Sequence, residues 1–374
     1  MVNKKFWSAV FTLSGTIIGA GILGLPYVFS KAGFFVGLFW VLILSIILIY
    51  VKLCLGEVSL RTKTDHQLVG YAKKYLSKKG RNLIFFSILF GIYSALIAYL
   101  IGEGESLSKL FTGNIDYAVY FGVLFWFLIS LLLKKGIREL KKIETWGVLG
   151  IIIIIFSMLI YFFPKINYSN FTYFSPENFF LPFGITFFAL LGFSSIPEMK
   201  LEIGNSRKHF KSAIILGGLI PAVLYIIFSF IFIGVLGNQV SQIATLEFGK
   251  IVTLLGIFTM MTSYFVLSFS LRDVFIYDFS LSKKKSYFLV VSIPLIFYLL
   301  ITFFNFLNFI SILSIAGVIS GGIFGISTLI MNKKAKKKGN RKPEYSMSIN
   351  WIIIIILSIL FITSMVFQFL ELII

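Results

Sequence analysis

The sequence predicts an all-α polytopic membrane protein of about eleven transmembrane helices. Two five-helix halves of inverted topology form the core, helices 1 and 6 are broken, and one extra helix follows at the C-terminus. Three observations carry this prediction. The 374-residue chain is 58% hydrophobic and only 13% charged, far too apolar for a soluble domain, and many runs approach the ~20 residues that cross a bilayer core. Its Lys and Arg residues alternate between dense and sparse loops. Two apolar runs carry clusters of Gly and Pro where unbroken helices are otherwise expected.

The apolar runs place spans at 6–29, 33–60, 83–111, 115–133, 145–163, 178–201, 211–236, 249–271, 286–304, 307–331 and 350–371. Of 34 Lys and Arg, 29 fall before the first span or in the loops 61–82, 134–142, 200–211, 272–285 and 332–349. Lys31, Lys109, Lys165 and Lys250 mark the other side, and Lys52 lies within a span. The positive-inside rule puts the N-terminus in the cytoplasm and the C-terminus outside. The net charge of +19 is then topology plus attraction to anionic lipid, and nucleic acid is not an expected partner. The first apolar run lacks a small-residue cleavage site, so no cleavable signal peptide is expected. A single cysteine, Cys54, excludes an intrachain disulfide and a thiol-based metal cluster. His66 and His209 fall in polar loops, so no intramembrane His site is expected.

Residues 1–331 read as the transporter-like core, with halves at about 6–163 and 178–331. An odd number of spans per half makes the second enter the membrane from the opposite side, the geometry of an inverted repeat. Residues 332–349 read as a flexible basic cytoplasmic linker to the eleventh helix at 350–374. In the loop 61–82, Leu68, Tyr71, Ala72, Tyr75 and Leu76 recur at helical spacing opposite lysines. This predicts an amphipathic helix lying on the cytoplasmic face. Residues 136–142 are a weaker example.

The first broken helix is Gly15-Thr-Ile-Ile-Gly-Ala-Gly-Ile-Leu-Gly-Leu-Pro26, and the second is Leu181-Pro-Phe-Gly-Ile-Thr-Phe-Phe-Ala-Leu-Leu-Gly-Phe-Ser-Ser-Ile-Pro-Glu198. Broken backbone at membrane depth is tolerated only where it faces protein or a water-filled cavity. A matched pair in two halves marks a transporter's substrate site. A half-helix N-terminus offers free N–H groups to a carboxylate, and a half-helix C-terminus offers carbonyls to an ammonium. Gly19, Ala20 and Gly21 are the candidate carboxylate binders; the other reading of these glycines is close helix packing. Phe188, Ala189, Leu190 and Gly192 flank the second break and offer carbonyls to an amino group. Phe188 or Phe193 would shape a side-chain pocket, unless they are ordinary apolar packing.

Thr262 and Ser263 in Thr259-Met-Met-Thr-Ser-Tyr-Phe265 offer hard oxygen ligands for Na⁺, or else bond back to their own helix. Glu103 and Glu105, in the outer part of the third span, are candidates for proton coupling or for the outer vestibule. Their other reading is side chains reaching the external interface. Glu57, Glu198, Glu202 and Asp273 lie near cytoplasmic ends, where pairing with Lys52, Lys200 or Arg272 would form an inner gate.

With these residues on the page, the chain resembles the amino acid/auxin permease family. Span one, Gly15–Tyr27, is similar to the family's opening motif. Ile196-Pro-Glu-Met-Lys200 with Ser212–Tyr225 is similar to its spans six and seven, and Thr262–Asp273 to its span eight. The nearest appearance is to bacterial aromatic and hydroxy amino acid permeases. The resemblance implies the LeuT-like core of amino acid–polyamine–organocation transporters and secondary active transport driven by H⁺ or Na⁺, with no cofactor. It implies that Thr16, Gly19, Ala20 and Gly21 hold the substrate carboxylate, that the Phe188–Gly192 backbone holds the amino group, and that Thr262 and Ser263 match a cation site. It also implies small or neutral residues where this chain has Glu103 and Glu105.

The alternatives are an exchanger, a channel, a nutrient sensor on the same fold, or a membrane enzyme. An enzyme would need acids with His or metal ligands at one interface, and the sequence has no HExxH or DxD motif.

Overall fold

The computed structural model describes residues 2–135 and 141–373. Most of the 136–142 stretch therefore lies outside the described residues. Among them there is no strand. The helices are α1 (Val2–Ile17), α2 (Gly21–Ala32), α3 (Phe34–Leu60), α4 (Leu68–Tyr75), α5 (Lys78–Thr112), α6 (Ala118–Lys135), α7 (Lys141–Phe162) and α8 (Leu181–Ala189). They continue with α9 (Ile196–Ile203), α10 (Phe210–Leu236), α11 (Lys250–Asp273), α12 (Lys283–Phe304), α13 (Phe309–Ala316), α14 (Gly322–Lys338) and α15 (Trp351–Ile373). Eight helical stretches are long and apolar enough to cross a membrane, and a ninth if the bent pair α1 and α2 is one span. One of the eight, Leu181–Leu236, is itself α8, α9 and α10 in succession. Many large apolar side chains face outward, among them Phe303 at 83% and Ile251 at 82% exposed. Such a surface is stable only against lipid, which makes this a multi-pass membrane protein.

The two breaks follow from local backbone chemistry. Ile18 N–H closes α1 on Ser14, and α2 restarts with short bonds from Ile22 to Gly19 and from Leu23 to Ala20. The axis bends by 56° there. Pro26 lies inside α2, so the first break belongs to residues 18–20 rather than to the whole Gly/Pro cluster. In the second, α8 ends at Ala189 and Gly192 adopts φ +105°. L side chains rarely take that angle, and a methyl group at Gly192 would also stand 2.6 Å from Ile17 Cγ1. A short 3₁₀ turn, Phe193–Ser195, leads into α9, and both half-helices carry proline in the first turn, where its missing N–H costs nothing.

Both breaks sit inside the bundle. Helix α1 packs on α9 and α10, α2 on α8 and α10, and α13 on α5 and α8. Gly21 lies directly against Ala189: a methyl group there would stand 2.6 Å from the Ala189 α-carbon.

Two expectations about the lysine-rich end are corrected. The amphipathic segment is helical over Leu68–Tyr75, but Leu68, Tyr71, Ala72 and Tyr75 are buried in protein, against α5 and α14 rather than a lipid surface. Tyr75 reaches back to the Thr62 hydroxyl at 2.7 Å. The basic stretch read as a flexible linker continues α14 to Lys338 and then runs as a pinned strap along α3. Tyr345 donates to the Leu53 carbonyl at 2.8 Å, Arg341 to the Leu60 carbonyl at 2.9 Å, and Met347 N–H to Glu57 at 2.8 Å. Its charge count hides these bonds, which are made by Arg341 and by residues that follow the last lysine, Lys342.

Candidate functional site: two facing helix breaks

The carbonyls at the breaks are not left bare. The Tyr225 hydroxyl on α10 is shared between the Ile17 carbonyl at 2.7 Å and the Ala189 carbonyl at 2.9 Å. One fully buried phenol thus ties the ends of α1 and α8 together. The next carbonyl, Leu190, accepts from the Lys52 ammonium of α3 at 2.8 Å. Ser195 donates back to the Gly192 carbonyl at 2.8 Å and stabilises the turn.

On the other side of the first break, Gly19 faces Tyr99 of α5 and Ser263 of α11: a methyl group on it would lie 3.3 Å from the Tyr99 hydroxyl and 3.4 Å from the Ser263 hydroxyl. The Tyr99 hydroxyl also meets Ser263 and the Ala20 backbone. The first turn of α2 has N–H groups with no partner within the helix. A positive helix end, two hydroxyls and a set of carbonyls therefore meet across one contact, an arrangement suited to a small zwitterion.

The sequence-predicted residues divide as follows. Gly19, Ala20, Gly21, Ala189, Leu190 and Gly192 come together at the two breaks. Thr16 donates to the Thr12 carbonyl at 2.8 Å, one turn back in α1. Phe188 is half-buried, with its backbone against Gly317. Phe193 is buried, stacked on Phe324 at 4.6 Å, and lies 5.9 Å from the Lys52 nitrogen. Thr262 gives its hydroxyl to the Phe258 and Thr259 carbonyls of its own helix, so of that pair only Ser263 is turned to the break. Glu103 is fully buried in α5, and neither carboxylate oxygen makes a hydrogen bond of full geometry, although the Met261 backbone of α11 approaches it. At its level α5 packs on Met260 and Phe309, the neighbours of Gly102. Glu105 is half-buried.

The expected pairing of inner acids with Lys52, Lys200 and Arg272 is corrected. Lys200 pairs with Asp65 at 2.8 Å and donates to the Ser59 and Thr62 carbonyls. Glu57 pairs with Arg61 at 2.7 Å. Glu202 accepts from Thr12 at 2.9 Å, and Arg272 donates to the Leu133 carbonyl at 3.2 Å. Asp65 lies outside the apolar spans; its hydrogen bond to Lys200 holds its carboxyl below the usual value.

Sequence reasoning missed Tyr99 and Tyr225 and misplaced Lys52. Two of 17 tyrosines on apolar helices give no local signal. A lone lysine eight residues from the end of a 27-residue apolar helix does give one.

These features define a class: a multi-pass helical membrane protein with two broken helices facing one another in its interior. Residues 2–248 match the tryptophan/tyrosine permease family, and the chain belongs to that family. It is 24% identical over 256 residues to glutamine transporter 2 of Aliivibrio fischeri, covering 66% of this chain and 65% of that protein. It is 28% identical over 250 residues to tyrosine-specific transport system 2 of Haemophilus influenzae, covering 63% and 60%. It is 23% identical over 246 residues to the low affinity tryptophan permease of Escherichia coli K12, covering 60% and 56%. The matched stretch thus spans less than two thirds of each of these relatives.

Proposed function

We propose that this protein is a secondary active amino acid permease of the cytoplasmic membrane, working by alternating access around the two facing breaks. The observation that carries the reading is the Gly21–Ala189 contact, which brings the N-terminus of α2 against the carbonyl end of α8. In this reading the chain crosses eleven times, N-terminus inside and C-terminus outside, as a LeuT-like inverted repeat of the amino acid/auxin permease type. The N–H groups of Gly19, Ala20 and Gly21 take the substrate carboxylate, with Thr16 beside them in span one. The Phe188–Gly192 backbone takes the amino group, and Phe188 and Phe193 border the side chain. Names of the relatives favour a neutral or aromatic amino acid as substrate.

Between the two coupling ions, H⁺ is the better supported. Glu103 is a buried carboxyl group with no ion-pair partner and no hydrogen bond of full geometry among the described residues, and an anion there is expensive, so proton exchange is its natural chemistry. Na⁺ would rest on Ser263 alone, because Thr262 is bonded within its own helix. Glu105 borders the outer path.

The test is uptake into proteoliposomes of labelled tryptophan, tyrosine and glutamine, with pH and Na⁺ gradients imposed separately. Accumulation driven by the pH gradient is expected. Accumulation driven only by Na⁺ would transfer the coupling to Ser263. Uptake of none of the three, under either gradient or in counterflow, would overturn the permease reading.

A further inference from the structure

Among the described residues, Lys52 is the one cation bonded to a carbonyl at a break. Its side chain is 1% exposed in the interior of α3, and its ammonium makes one hydrogen bond, to Leu190. An ammonium has three donors, so two remain unspent. The face of Phe193 lies 5.9 Å away and is fixed by stacking on Phe324. No carboxylate of the described residues reaches Lys52 at ion-pair distance. The nearest acid along its own helix, Glu57, is bound by Arg61, Asn332, Ser346 and Met347.

A merely structural peg for the Leu190 carbonyl does not need a charge. The chain itself shows the neutral solution one residue earlier, where a phenol, Tyr225, serves both Ala189 and Ile17. Desolvating an ammonium costs far more than desolvating a hydroxyl. The cost is relieved either by release of the proton or by an anion that completes the pair, and only the second makes use of the two unspent donors. The described chain supplies none, but an amino acid brings one.

Resting on the permease reading above, we infer that Lys52 is a substrate-binding residue whose two free N–H donors take the carboxylate of the transported amino acid, so that the Leu190 carbonyl serves Lys52 and the amino group is left to the other carbonyls of the Phe188–Gly192 stretch. The ligand class is a free α-carboxylate, and the Leu190 bond aims the ammonium at it. The N–H groups of the first break then share the anion with a true cation rather than holding it alone. Charge-assisted hydrogen bonds of this kind are the strong ones.

The experiment uses the full chain in lipid nanodiscs. Equilibrium binding is measured for L-tryptophan, L-tyrosine and L-glutamine, each beside its α-carboxamide, which keeps the amino group and side chain but has no negative charge. The wild type should prefer the carboxylate form by about tenfold or more. Lys52→Met should abolish that preference by weakening the carboxylate form, and Lys52→Arg should restore much of it. If Lys52→Met is not monodisperse, Lys52→Gln replaces it. A preference that survives loss of the ammonium overturns the inference. So does a parallel loss of both forms that Lys52→Arg does not rescue, or a wild type indifferent to the carboxylate. Binding of none of the six compounds by the wild type would instead bring down the permease reading, and this inference with it.

Discussion

Glu57 and Glu103 are both fully buried, and they are treated in opposite ways. Glu57, at the lysine-rich end, accepts from Arg61 at 2.7 Å, Asn332 at 3.0 Å, Ser346 at 3.0 Å and the Met347 N–H at 2.8 Å. These donors come from α3, from α14 and from the strap that follows it, so one carboxylate binds three parts of the chain. Glu103, on α5, makes no hydrogen bond of full geometry, and the Met261 backbone of α11 only approaches its carboxyl group. Burial alone therefore does not mark a working group. A saturated carboxylate is architecture, because its charge is already neutralised by the fold. An unsatisfied one, like the unspent donors of Lys52, is waiting for something the chain does not provide. The contrast is between the two carboxylates and not between whole regions, since Asn332 Oδ1 and Arg207 Nε at the lysine-rich end also lack partners.

Substitutions at four positions test this contrast. Gly21→Leu forces a side chain into the Ala189 backbone, 2.6 Å from where its first carbon would stand. It should abolish uptake in proteoliposomes, whereas Gly150→Ala, with nothing within 4 Å, should transport normally. Full uptake by Gly21→Leu would remove the breaks from the mechanism.

Glu57→Ala strands the donors of Asn332 and Met347 and frees the strap. It should lower stability by about 3 kcal/mol, read as a lower midpoint in thermal unfolding, while the folded fraction still transports. Tyr225→Phe removes one shared hydroxyl and leaves the Ile17 and Ala189 carbonyls without it. A loss of about 1–3 kcal/mol is expected, together with weaker substrate binding, since the ends of α1 and α8 are no longer tied. Normal binding in a merely less stable protein would make Tyr225 architectural like Glu57.

The smallest effect is at Asp65, which is half exposed. Its carboxyl titrates lower in the folded protein than an ordinary aspartate because of the hydrogen bond to Lys200. The ionised carboxylate therefore adds stability at neutral pH, and this is lost as pH falls through and below the ordinary aspartate range. Solvent screening limits it to under about 1 kcal/mol. Asp65→Asn should flatten this part of the acid limb of the unfolding curve and change little at pH 7.

Much of the fold is legible in the sequence because it depends on local apolar runs and on glycine. The helix ends follow the hydropathy, and Gly19–Gly21 and Gly192 announce the breaks. Pro26 misleads because α2 carries it as its sixth residue without ending, which a membrane helix tolerates when neighbouring groups re-satisfy the freed carbonyl. What closes the site is not local. Tyr225 is 208 residues from Ile17, and Lys52 is 138 from Leu190. Each bond is made to a main-chain carbonyl, which any sequence supplies, so no complementary residue advertises the partner. The strap is hidden for the same reason: its bonds to the Leu53 and Leu60 carbonyls leave no trace in composition, and its lysines suggest a loose linker. The unlike fates of Glu57 and Glu103 turn on donors from distant helices, which spacing cannot show.

The most direct measurement sets the two buried carboxylates side by side. Glu103→Gln and Glu57→Gln are each reconstituted, and labelled amino acid accumulation under a pH gradient is compared with counterflow in its absence. The account predicts that Glu103→Gln folds as stably as the wild type, keeps counterflow and loses accumulation. Glu57→Gln should be less stable and still accumulate. Accumulation that survives in Glu103→Gln and vanishes in Glu57→Gln would contradict the assignment of Glu103 as the working carboxylate and Glu57 as the structural one.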